Sequence, residues 1–214
     1  MSIKEILVCL AAIIFVVLVP HSGVVPFPFG YAIPVLIFIW FYLKRSGENF
    51  EDIGFSFKWF EIKAAVVGTM SGILLFVFLN WAFFPLIEKV LHFPPDNLGD
   101  FAKIKGNTGF YIFLVTMSWL IGGFYEELAF HGFIFTRLEE MMAGKYAVLL
   151  SFLFTNMIFA LYHLQLGPRG VLNAFIAGCA YHGLMLYYKR NIWYAIFCHA
   201  VFDTIALTFM YAGY

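Results

Sequence analysis

The chain has 214 residues, 63% of them hydrophobic and only 12% charged. Soluble domains carry about 25% charged residues, so this chain lacks the polar side chains to cover a globule. It reads as one integral membrane domain over 1–214, with no sizeable soluble part. Its 13 basic and 13 acidic residues cancel to a formal net charge of zero, which argues against a nucleic-acid partner, since such partners need a basic patch.

Apolar runs long enough to cross a bilayer, about 20 residues, recur seven times, at 3–20, 24–43, 64–86, 109–135, 146–163, 171–188 and 192–210. The first has Lys4 before it and no small-residue cleavage site after it, so it is expected to stay as a span. Pro26, Pro28 and Pro34 interrupt the second. The segment 48–63 mixes aromatics with charges and suits the headgroup layer, whereas 97–107 suggests a short amphipathic helix or gate. The fourth run is long enough to be tilted, or broken at Gly122-Gly123. Cys9, Cys179 and Cys198 sit in apolar runs without a CxxC pair and read as small buried hydrophobes. Lys and Arg in the short loops place the N-terminus in the cytoplasm, and seven spans put the C-terminus outside. The fold class expected is an all-α polytopic helix bundle of about seven (six to eight) spans around a polar cavity.

Three runs carry ionisable groups deep inside. The fourth holds Glu126, Glu127 and His131, the fifth ends in Phe159 and His163, and the seventh holds His199 and Asp203. Intramembrane ionisable residues are costly and usually face a cavity or one another, so one shared polar site is the economical reading. Glu127 and His131 are four apart, as are His199 and Asp203, and each pair lies on one helical face. At the α-helical rise Glu126 lies about 16 Å from the inner end and His163 about 27 Å, so their depths agree only loosely.

A carboxylate and a neutral imidazole can together hold and deprotonate a water. Adjacent carboxylates are expected to share a proton, and a second imidazole can donate to the oxyanion formed when water attacks a carbonyl. Those are the parts needed to hydrolyse an amide bond. The same residue types also build proton relays and substrate sites in transporters, which remains an alternative. A Cys198–His199 nucleophile is disfavoured because helix neighbours point about 100° apart. Zinc on His163, His199 and a Glu has suitable ligand types but lacks the HExxH spacing, so no cofactor is expected. His182, Asn80, Asn156 and Asn173 read as interhelical packing polar groups.

The three spacings together resemble the CPBP family, the type II CAAX prenyl proteases and bacteriocin-processing enzymes also called Abi. Its pattern is EExxxR, then FxxxH, then HxxxN or HxxxD on successive membrane helices, here Glu126 to His131, Phe159 to His163 and His199 to Asp203. The resemblance covers about 109–203, and implies a catalytic core over about 109–210. It implies a glutamate-dependent intramembrane endopeptidase with no required metal. Glu126 would be the base, His163 its partner on the water, Glu127 a tuning neighbour, and His199 with Asp203 the oxyanion side. Phe159 and His131 would shape or bind at the site. The implied substrate is a polypeptide with a membrane-associated or lipidated segment, delivered from the lipid bilayer. With no organelle-targeting segment evident, a prokaryotic plasma (inner) membrane is expected. Two positions depart from the pattern: His131 stands at the arginine, and Asp203 where the best-known relatives carry asparagine. A weakened member acting as an immunity or scaffold protein is the further alternative.

Overall fold

Local sequence sets where each helix starts and stops, and a computed structural model describes residues 1–94 and 99–213. Among the described residues seven helices follow one another, with no strand: α1 (Ile3–Leu18), α2 (Ala32–Ser46), α3 (Ile62–Ile87), α4 (Thr108–Met141), α5 (Ala147–Tyr162), α6 (Gly167–Tyr187) and α7 (Trp193–Ala212). Five of them, α1, α3, α4, α6 and α7, lie in helical segments long and apolar enough to cross a membrane, and α5 is a shorter apolar helix. The chain is thus a multi-pass, all-helical membrane protein, and many of its large apolar side chains, such as Leu7, Leu74, Ile112 and Phe154, face outward.

A capping box opens α1: Glu5 N–H donates to Ser2 Oγ at 3.3 Å and Ser2 N–H donates to Glu5 Oε2 at 2.6 Å. The run expected at 24–43 is helical only from Ala32. Pro26 and Pro28 supply no N–H, and Phe29 has a positive φ of 64°, so no helix propagates through them. Pro34 is tolerated because it sits in the first turn of α2, where N–H groups have no intrahelical partner anyway. The fourth run neither breaks nor stops at Phe135. Its backbone widens to π-type turns with i→i+5 pairing over Ser118–Ile134 and continues to Met141.

Small residues bring the helices together. A Cβ at Gly68 would lie 2.6 Å from Phe197 Cβ, and one at Gly72 would lie 2.5 Å from the Cys198 carbonyl oxygen. This small-xxx-small stripe lets α3 lie against α7 at backbone distance. Likewise Gly123 on α4 meets Ala200 on α7, and Gly178 on α6 meets Phe159 and Asn156 on α5.

The segment 48–63 folds back over the helix ends. Its Gly54 carbonyl accepts from Ile192 N–H at 3.1 Å, Trp193 Nε1–H donates to the Ser56 carbonyl at 2.9 Å, and Ile53 and Phe55 are buried. Phe57 and Phe60 remain exposed, as a headgroup location would require. Arg137 pairs with both Glu48 oxygens at 2.8 Å, and Arg190 with both Glu139 oxygens at 2.7 and 2.8 Å. Of the 97–107 segment, Asn97 and Leu98 lie outside the described residues. Gly99–Ile104 forms 3-10 turns that bury Ile104 against Leu114 and Leu207.

Candidate active site

The end of α5 prepares His163. The helix stops at Tyr162, and the carbonyls of its last turn lose their intrahelical partners. His163 N–H turns back to the Ala160 carbonyl at 3.0 Å, which leaves the Phe159 carbonyl free for the imidazole. His163 Nδ1 lies 2.8 Å from that carbonyl oxygen. A carbonyl only accepts, so Nδ1 carries the hydrogen and Nε2 of the neutral ring is left as an acceptor. That Nε2 faces Glu126 Oε2 at 3.8 Å, beyond direct hydrogen-bond reach. The loose agreement in depth has a simple origin. α4 runs on to Met141 and α5 begins at Ala147, so Glu126 and His163 stand at similar remove, 15 and 16 residues, from their helix ends.

The two adjacent carboxylates turn to different partners. Glu127 Oε2 meets His131 Nδ1 on its own helix at 2.6 Å, and Oε1 meets His199 Nδ1 on α7 at 2.7 Å. Both Glu127 and His131 are 0% exposed. The other face of His199 points to Asp203, with Nε2 3.5 Å from Oδ2. Exposure rises outward from this closed centre, to 17% for the His163 side chain and 31% for that of Asp203. A ligand would therefore approach from their side. Gly122 borders the same face, where a Cβ would stand 2.7 Å from Asp203 Oδ2 and 3.4 Å from His199 Nε2. Phe159 is buried edge-on between Phe130 and His163, with ring centroids 5.2 and 4.7 Å away. All seven residues named from the sequence thus converge on one site drawn from α4, the end of α5 and α7. Among the described residues no three His, Cys, Asp or Glu side chains group as metal ligands.

Residues 108–205, just under half of the chain, match the family described as type II CAAX prenyl endopeptidase, Rce1-like. Over that segment the chain is similar to the Rce1-like family. The match includes every residue of the constellation and bears out the resemblance drawn from its three spacings. No curated protein and no solved structure matches the chain significantly.

Within the Rce1-like segment, three further residues join the constellation without having been singled out for it. Asn156 Oδ1 lies 3.2 Å from His131 Nε2, and Asn156 Nδ2 lies 3.1 Å from His182 Nδ1. Tyr181 stacks flat on His199, with centroids 4.4 Å apart and planes inclined by 16°. Asn156 had a legible signal: with Phe159 and His163 it falls at i, i+3 and i+7, one face of α5. Tyr181 and His182 carry no such mark, because what they meet on α7 and α5 depends on how α6 packs against those helices.

Proposed function

We propose that this chain is an intramembrane endopeptidase that hydrolyses a peptide bond with a water held between Glu126 and His163. The observation that carries the reading is the 3.8 Å separation of Glu126 Oε2 and His163 Nε2. It is too long for a direct bond and suits two groups that share one water. Because Nδ1 is committed to the Phe159 carbonyl, Nε2 accepts one hydrogen of that water and Glu126 accepts the other. An oxygen lone pair is then free to attack the substrate carbonyl. As the C–O bond forms, the water proton passes to Glu126. Glu126 returns it to the amide nitrogen as the C–N bond breaks, releasing a carboxylic acid and an amine. His199 Nε2–H donates to the oxyanion, and the Asp203 carboxylate favours the form of His199 that bears that hydrogen.

The substrate class is a polypeptide whose membrane-associated or lipidated segment brings it to the site, as the Rce1-like match supports. We place the enzyme in a prokaryotic plasma membrane with its N-terminus cytoplasmic, the core over about 109–210 and no metal requirement. In proteoliposomes, Glu126→Gln and His163→Ala are each expected to lower cleavage of a prenylated or leader peptide by about 10²-fold or more, with unchanged thermal unfolding. Cleavage that persists in both variants overturns the proposal. Proton or solute flux lost on the same substitutions would favour a transporter instead. Wild-type cleavage should also survive chelation, with no stoichiometric metal on elemental analysis.

A further inference from the structure

The buried polar groups beyond Glu127 form a chain across three helices, and its hydrogen bonds can be counted to the end. Asn156 Nδ2 lies 2.8 Å from the Phe152 carbonyl oxygen, an acceptor only, so this atom is the amide nitrogen and the orientation of the side chain is fixed. Its second hydrogen goes to His182 Nδ1 at 3.1 Å, which is therefore the bare nitrogen of a neutral ring. Both amide hydrogens are now used. Asn156 Oδ1 can only accept, and what faces it at 3.2 Å is His131 Nε2. His131 Nε2 must carry a hydrogen.

One contact remains. His131 Nδ1 and Glu127 Oε2 stand 2.6 Å apart, a distance at which two bare lone pairs repel and two hydrogens cannot fit. A single proton lies between them. With Nε2–H fixed and His199 Nδ1 donating to Glu127 Oε1, the pair is either imidazolium with carboxylate or neutral imidazole with carboxylic acid, and its net charge is zero in both.

We propose that Asn156 and His182 are positioning residues that fix the hydrogen on His131 Nε2, so that Glu127 and His131 hold one proton between them and add no net charge to the buried site. His182 stands at the end of the chain: among the described residues its buried Nε2 has no hydrogen-bond partner, and the ring sits in a cage where Phe135 stands edge-on at 4.4 Å and Phe152 lies 4.7 Å away.

The hydrogen count stands independently of the proposed activity; only its catalytic consequence rests on that reading. The test is nitrogen NMR on the full chain, labelled with ¹⁵N-histidine in nanodiscs, with the His131 signals assigned by their loss in His131→Gln. Nε2 of His131 is expected to be directly protonated in the wild type and in Asn156→Asp, which keeps an acceptor there. It should lose that fixed proton in Asn156→Leu. In the same Asn156→Leu protein, kcat should fall about tenfold or more while KM stays within about twofold. A bare Nε2 in the wild type, or an Nε2–H signal unchanged in Asn156→Leu, overturns the proposal. A shifted hydrogen with unchanged kcat overturns the positioning role. Absence of any wild-type cleavage with the expected NMR result would instead overturn the peptidase reading.

Discussion

Glu127 is the most enclosed acid of the site, and it is tolerable there because imidazoles face both of its oxygens. Taking away one partner of a buried pair costs about 3–5 kcal/mol, because the remaining charge is left uncompensated. His131→Leu leaves Glu127 its His199 partner, so it should destabilise the protein by less than that, up to about 3 kcal/mol, measured by thermal or denaturant unfolding in detergent. Adding Glu127→Gln should recover a substantial part of the loss, since the stranded carboxylate is gone. If the two substitutions simply add, Glu127 and His131 are not coupled. The sequence made the i, i+4 partnership of Glu127 and His131 legible, along with that of His199 and Asp203. It left hidden that His199 gives one nitrogen to Glu127, because that depends on how α7 is rotated against α4, and spacing along a single helix carries no information about rotation between two.

At the scale of elements, glycine decides which helices touch. Gly72 brings α3 against the Cys198 carbonyl, one residue before His199, so its absence of a side chain bears on the site itself. Gly72→Ala should cost about 1–3 kcal/mol through overpacking and lower any activity by displacing α7. Gly183 on α6 is the control, since a Cβ there meets nothing within 4 Å. Gly183→Ala should gain up to about 1 kcal/mol from the better helix propensity of alanine, and equal effects at the two sites would refute the packing argument. Hydropathy made most of the helices legible, with two instructive departures. The second run is apolar from residue 24, yet its prolines delay the helix to Ala32, so hydropathy registered the lipid-facing character and missed the backbone chemistry. The π-type widening of α4 carries no periodic signature. Both Glu126 and Glu127, with the whole stretch Tyr125–Ile134, are buried at once because α2, α5 and α7 pack around it, against the single stripe that a surface helix would bury.

The whole molecule separates its charges by end. Glu48 after α2 pairs with Arg137 near the end of α4, Glu139 pairs with Arg190 just before α7, and Tyr194 donates to Glu61 just before α3. These elements share one end, which also holds the start of α1. At the other end His21 meets the Tyr162 carbonyl at 3.1 Å, Arg169 meets Glu88 at 2.8 Å, and Gly106 N–H donates to the Tyr211 carbonyl at 3.1 Å. The helices therefore alternate in direction, and the two termini lie at opposite ends. Of the 13 lysines and arginines, only Lys89, Lys103, Lys105 and Arg169 fall at the second end. The positive-inside rule would put the first end on the cytoplasmic side, in line with the orientation proposed above. Exposed Lys44 and Lys89 sample the two ends. On right-side-out vesicles a membrane-impermeant maleimide should label Lys89→Cys directly and Lys44→Cys only after permeabilisation, with the wild type reporting any background from Cys179. The reverse pattern would invert the molecule. Labelling of both without permeabilisation would mean that α3, the one helix between the two positions, does not cross, and the alternation of ends would have to be redrawn around it.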